Sequence, residues 1–273
     1  MSLLFFIILV ILIINPNASA INVINASKLW ITTLVPAMYP SLICIDIISN
    51  SKFIQKLSKS LFPIFKKIFN INHSKSTFII LISLICGAPA STKMIYDSKE
   101  NKQISENEAN NLVCAFSFLS LPFTILVLND LKLILLYYSF ILIISILWMQ
   151  IFNKREKNTL DYEVTNLNFI NIFTNSIKKN IELLLNILGI VIFFRILISL
   201  FLKDNFIGYS YIEILGGINN TNNYVIMLSS LGFLGLAIHV QILSIYPNIK
   251  YRYFLLSRII YLTLGLLGLL LKI

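Results

Sequence analysis

A chain of 273 residues that is 57% hydrophobic, 12% charged and +0.83 in mean hydropathy carries about half the charge of a soluble domain, for which about 25% is usual, so a soluble globule is excluded. The formal net charge of +10 is not a nucleic-acid footprint, because the basic residues lie in short stretches between apolar runs, where they set membrane topology. The three cysteines, Cys44, Cys86 and Cys114, sit in or beside apolar runs at a spacing that fits neither a metal site nor a disulfide framework, and read as small apolar residues of a bundle.

In chain order, the first apolar run, Leu3–Ile14, is short of the ~20 residues a spanning helix needs. Ala18-Ser19-Ala20 has the look of a signal-peptide cleavage site, but no Lys or Arg precedes the run. Residues 1–20 are therefore expected to be a retained first helix, with a signal-like segment as the alternative. Residues 21–152 form a first membrane half. Within it, Leu29–Ile48 contains Pro36 and Pro40 and is expected to be kinked or interrupted. In SKFIQKLSKSLFPIFKKIF (51–69) the residues Phe53, Ile54, Leu57, Leu61, Ile64, Phe65 and Ile68 recur at helical spacing among lysines. This stretch reads as an interfacial helix on anionic lipid, on the cytoplasmic side. Phe78–Cys86 is apolar but too short to cross, and it stops at Gly87-Ala-Pro89-Ala-Ser91-Thr92-Lys93. In the polar stretch Asp97–Asn111 that follows, Asp97, Glu100, Glu106 and Glu108 read as a solvated face. Two crossings, Leu112–Leu128 and Leu131–Ile151, complete this half.

Residues 153–180, with NKREKNTLDYE and Lys178-Lys179, read as a cytoplasmic loop. The second membrane half, 181–273, opens with the span Ile181–Leu202, which carries Arg195. A shorter stretch with Glu213, Gly216 and Gly217 follows, then Tyr224–Ala237, broken by Gly232 and Gly235, then His239 and Gln241. The last span is Tyr253–Leu271.

Interrupted segments at corresponding places in two halves point to a transporter built from repeats, with its binding site between them. The expected fold class is an all-α polytopic membrane protein with two transporter-like halves, related as an inverted repeat on hydropathy alone, and with interrupted or re-entrant helices. In hydrocarbon an unpaired backbone group costs several kcal/mol, so broken backbone persists only where protein or water covers it. Gly87–Lys93 suits a re-entrant tip lining a wet cavity, where freed N–H groups, the Ser91 and Thr92 hydroxyls and the Lys93 ammonium grip an anion. The alternative is a loop end at the surface, with Lys93 among headgroups. Glu213 and Arg195 are ionisable groups in apolar segments and are candidates for that reason. Arg195 needs an internal partner or an anion, and Glu213 is otherwise interfacial. His239, beside Gln241, either accepts and relays a proton or packs through hydrogen bonds. No phosphate loop, zinc-protease motif or Ser/His/Asp spacing occurs, and His73 and His239 pair with no cysteines for zinc. Neither an enzyme, a cofactor nor a metal is expected.

The series Trp30-x5-Pro36-x3-Pro40, Gly87-Ala-Pro89-Ala-Ser91-Thr92-Lys93, Ile104-Ser105-x2-Glu108-Ala109 and Pro122-Phe123 resembles the YlbJ-type sporulation integral membrane proteins, which carry a nucleoside-recognition, or gate, domain. In the second half, Glu213-Ile-Leu-Gly216 is similar to that family's E-x-x-G. Leu231-Gly232-Phe-Leu-Gly235-Leu-Ala-Ile-His239-Val-Gln241 is similar to its G-F-G-G-L-S-V-x-x-Q, and Arg258 to the arginine opening its last helix. Ser91-Thr92 in place of Gly-Ala, Leu234 in place of a glycine, and Tyr39 and Ser41 beside Pro40 depart from the pattern. The resemblance implies a multi-pass cell-membrane protein of spore-forming Gram-positive bacteria, placed in sporulating cells in the outer forespore membrane, that acts in spore maturation and is associated with moving dipicolinic acid.

The expected function is transport of a small carboxylate, dipicolinic acid first, with Gly87, Pro89, Ser91, Thr92, Lys93, Pro122, Glu213, Gly232, Gly235, His239 and Gln241 as candidate substrate-binding residues. The expected partners are the lipid bilayer and a small anionic metabolite, not nucleic acid. The rival from another class is a non-transporting structural or assembly component of a spore-envelope complex.

Overall fold

A computed structural model describes residues 2–156, 169–201, 206–214 and 223–266. The central part of the expected loop (157–168), Gly216-Gly217 and the end of the last span lie outside the described residues. The described residues are mostly helical, with no strand among them. Among the described residues four helices are long and apolar enough to cross a membrane, Ser19–Ser49, Leu131–Phe152, Phe169–Phe201 and Tyr224–Ile245, or five if the bent pair Lys52–Phe69 and Ser74–Cys86 makes one span. The protein is an all-α polytopic membrane protein.

Helix α1 (Ser2–Ile14) is followed by α2 (Pro16–Leu29), a π-helical turn over Trp30–Leu34 and α3 (Val35–Ser49), which together make one long rod. The π turn is where Pro36 takes effect. A proline has no N–H to give and its ring crowds the preceding turn, and a wider turn absorbs both defects. The Val35 N–H accordingly reaches back five residues, to the Trp30 carbonyl. The expected interruption is present as a distortion inside a continuous helix.

Helix α4 (Lys52–Phe69) starts at Ser51, whose Oγ accepts from the Ile54 N–H at 3.2 Å, and stops at Asn70, which adopts the left-handed conformation. It turns Ile54, Ser58 and Phe69 inward and leaves Phe53, Leu57, Ile64 and Ile68 exposed beside its lysines, as an interfacial helix requires. The chain then bends by 78° into α5 (Ser74–Cys86). This helix begins four residues before the expected apolar run, and its first turn, Ser74–Thr77, is buried. Gly87 breaks the helix, and α6 (Ala90–Glu100) packs back on α5. By Glu108 the chain is again beside His73, so 74–100 is a re-entrant hairpin with its tip at 87–89.

The apolar run 112–128 is not one crossing helix. Helix α7 (Glu106–Phe116) is separated from α8 (Leu121–Leu128) by four residues, Ser117–Ser120. Carbonyls at the end of a broken helix have no partner within it, and long-range neighbours supply them here. Arg258 donates to the Cys114 and Ser117 carbonyls, and Ser145 Oγ and Tyr261 Oη both reach the Ala115 carbonyl at 2.7 Å. Arg258 is 1% exposed and lies over the Phe254 and Tyr261 rings. Helix α9 (Leu131–Phe152) returns to the lysine-rich side, where Gln150 donates to the Lys67 and Ile68 carbonyls and Asn153 exchanges bonds with Asn70. The end of α4 and the residues after α9 therefore share one side of the molecule.

Helix α10 (Phe169–Phe201) starts twelve residues before the expected entry at Ile181, so the expected loop 153–180 ends in helix. It packs along α2 and α3, and the Trp30 indole N–H donates to the Leu184 carbonyl at 2.9 Å. The second half continues with α11 (Phe206–Ile212), α12 (Tyr224–Phe233), α13 (Gly235–Ile245) and α14 (Tyr251–Tyr261). The break between α12 and α13 falls at Leu234 and Gly235, both with positive φ. Each half therefore contains interrupted helices, as the hydropathy implied.

Candidate functional site

Gly87 sits at φ +58°, ψ −170°, a region essentially closed to side chains. A Cβ there would lie 2.5 Å from the Phe118 oxygen and the Leu119 carbonyl carbon. The glycine lets the hairpin tip press, backbone on backbone, against the α7–α8 break, and the Ala88 N–H donates to the Phe118 carbonyl at 2.6 Å. Two interruptions from different parts of the chain thus satisfy each other, which is the condition for broken backbone at membrane depth.

A cavity of about 40 Å³ lies at this junction, lined by Leu34, Ala37 and Met38 of the long rod, Ala88 and Pro89 of the hairpin tip, Leu119, Ser120 and Phe123 of the second break, Ile187 of α10, and Ile238 and Gln241 of α13. That is room for roughly three waters at ~10–15 Å³ each. Its walls are apolar apart from Ser120 and Gln241, and no charged side chain lines it. Residues at the N-terminal ends of α6 and α8 face it, and the first turn of a helix carries unpaired N–H groups and a partial positive charge. An anion held by neutral donors suits such a place.

Of the sequence-derived candidates, Pro89 and Gln241 line the cavity, and Gly87 shapes the tip beside it. Pro122 lies in the first turn of α8, between the lining residues Ser120 and Phe123. Ser91 and Thr92 are buried, but they are not cavity walls: Thr92 Oγ1 is 3.4 Å from Ser117 Oγ.

Lys93 does not face the cavity. Its ammonium is 3.4 Å from Asp46 and 3.8 Å from Asp97. Asp46 also accepts from Ser176 Oγ at 2.7 Å and Asn180 Nδ2 at 3.0 Å, so this cluster ties α3, α6 and α10 together. Glu213 is 1% exposed and pairs with Arg195 Nε at 3.1 Å. That ion pair answers the need of Arg195 for an internal partner and buries the Glu213 carboxylate within the protein. Gly232 lies against the Tyr261 backbone, and Gly235, at φ +68°, against Ile212. His239 Nε2 is 2.8 Å from the Phe233 carbonyl and Nδ1 is 3.2 Å from Tyr251 Oη. A carbonyl only accepts, so Nε2 carries the proton and Nδ1 accepts from the tyrosine. The imidazole closes the end of the broken helix α12.

Glu108 was expected on a solvated face and is instead fully buried. It accepts from the Asn72 N–H at 2.7 Å, the His73 N–H at 3.4 Å and the Ser76 hydroxyl, and lies 3.1 Å from His73 Nδ1, so it caps α5. Its signal was the pattern Ser105-x-x-Glu108, a capping box by sequence, in which only the Ser105 half forms locally. Asp46, Asn180 and Ser120 carried no local signal of their roles.

No family model, no curated protein and no solved structure matches the chain.

Proposed function

We propose that the protein carries a small carboxylate across the membrane through the junction of its broken helices. The observation that carries this reading is the convergence of three interrupted segments on one cavity, with the N-termini of α6 and α8 and the Gln241 amide at its walls. Half-helix N-termini aimed at an anionic group are the recurrent way in which secondary transporters hold such substrates. The mostly apolar lining suits a flat, weakly hydrated body, with a few polar groups to fix its orientation. A cavity of about 40 Å³ is smaller than such a body, so the bound form has to be wider. Dipicolinic acid, an aromatic dicarboxylate, fits this description and is the first choice through the family resemblance; spore maturation is the corresponding setting.

Purified protein in lipid vesicles should take up labelled dipicolinate. Gln241→Leu should reduce uptake about tenfold or more, since a neutral hydrogen bond lost from a buried site costs about 1–3 kcal/mol. Absence of uptake, together with full dipicolinate content in spores lacking the protein, would leave a structural component as the better reading.

A further inference from the structure

A second buried polar centre lies away from the cavity, at the base of the hairpin. His73 is fully buried between two carboxylates: Glu108 Oε2 is 3.1 Å from its Nδ1, and Glu156 Oε2 is 3.7 Å from its Nε2. Glu108 accepts from two backbone N–H groups and a hydroxyl, the surroundings of an ionised carboxylate, which can only accept. Nδ1 must therefore carry a proton. In a neutral ring Nε2 would then be a bare lone pair facing a carboxylate oxygen, with no hydrogen-bond partner in a dry place. A proton on Nε2 turns that opposition into an ion pair.

Glu156 is the gateway, because its side chain is 28% exposed while that of His73 is 0% exposed. Its other oxygen accepts from Ser105 Oγ at 2.6 Å. Its segment, 153–156, is laid over the start of α5 by Asn72, which donates to the Lys154 carbonyl at 2.9 Å and accepts from the Glu156 N–H at 3.1 Å. This segment begins the connection between the two halves. Other charged groups on the elements meeting here are Lys66 and Lys67 at the end of α4, Lys75 on α5, Lys99, Glu100 and Lys102 around the end of α6, Glu106 on α7, and Lys154 and Arg155 beside Glu156. Among the described residues only Glu108 and Glu156 come within ion-pair distance of the His73 ring.

We infer that His73 is a proton-binding site, filled from the lysine-rich side through Glu156, and that its second proton fastens the inter-half segment 153–156 to the base of the re-entrant hairpin. The proton moves from the Glu156 carboxyl to Nε2 once the 3.7 Å between them closes to hydrogen-bond reach, leaving a carboxylate beside an imidazolium. The inference does not depend on the identity of any transported solute.

The chain has two histidines, so ring-¹⁵N-labelled protein in nanodiscs gives two sets of imidazole signals, and His73→Gln assigns them. The expected result is a His73 ring that is protonated on both nitrogens at mildly acidic pH and loses the Nε2 proton as pH rises. Glu156→Gln should weaken that proton binding about tenfold or more. Amide exchange at 153–156, corrected for its intrinsic pH dependence, should speed up over the same pH range, and should no longer follow pH in His73→Gln. A His73 Nε2 that stays bare from pH 5 to 9, or proton binding unaffected by Glu156→Gln in a folded protein, overturns the inference. Exchange at 153–156 that is blind to the His73 titration overturns its mechanical half.

Discussion

Replacing Gly87 by alanine adds one methyl group where backbone atoms already stand on three sides. The Cβ would lie 2.5 Å from the Phe118 oxygen and the Leu119 carbonyl carbon, with the Ser120 nitrogen also in contact. None of these can swing away as a side chain would. Holding a non-glycine residue at φ +58°, ψ −170° costs about 1–3 kcal/mol, and overpacking adds about 1–3 kcal/mol. The sum, roughly 2–6 kcal/mol, corresponds to a fall in Tm of about 4–24 °C at ~2–4 °C per kcal/mol. Gly189 is the internal control, because a Cβ there meets nothing within 4 Å. Gly189→Ala should be neutral or stabilising by up to about 1 kcal/mol. Unfolding in detergent can be followed with a dye that reacts with the buried thiols of Cys86 and Cys114, alongside dipicolinate uptake at matched protein level. Gly87→Val should be worse than Gly87→Ala in both. A Gly87→Ala protein with the Tm and uptake of the parent would show that the hairpin tip does not press on the second break, and the account of the cavity would fall with it.

Lys93→Met and Asp46→Asn should each impair uptake, but the two together should recover part of it, with a coupling of about 0.5–3 kcal/mol in a thermal-unfolding double-mutant cycle. Strict additivity would return Lys93 to the list of substrate ligands. Arg195→Met alone should destabilise by about 3–5 kcal/mol by leaving Glu213 buried without its cation, and Arg195→Met with Glu213→Leu should be nearer the parent in Tm. His239→Phe should cost about 1–3 kcal/mol by orphaning the Phe233 carbonyl, whereas His239→Gln, which keeps a donor, should retain the parent's pH profile of uptake; a flattened profile would restore a proton-relay role. A single cysteine at Arg155 or Lys178, in an otherwise cysteine-free protein, should escape an impermeant thiol reagent added outside whole cells, and labelling there would invert the topology.

What the sequence determines about this protein follows from local physics. An apolar, charge-poor composition dictates a membrane solvent, and prolines and glycines mark where a helix cannot run on. The π turn before Pro36, the tip at Gly87–Pro89 and the break at Leu234-Gly235 all lie where backbone chemistry puts them, and the lysine-rich α4 shows its amphipathic face at helical spacing. Roles that depend on a distant partner were not legible. Lys93 looks like a free ammonium until α3 and α10 bring Asp46, Ser176 and Asn180 to it. Glu108 looks solvated until the hairpin returns the start of α5 to its carboxylate. His239 looks like a candidate ligand until the carbonyl of one broken helix claims it, and nothing local shows that Arg258 closes the end of another. For Lys93, Glu108 and Arg258 the partner is distant in sequence, and for Glu108, Arg258 and His239 the physical demand is the same. A broken helix in hydrocarbon must have its polar ends satisfied by protein, and which side chain does so is settled by how the helices pack, over separations that no local pattern records.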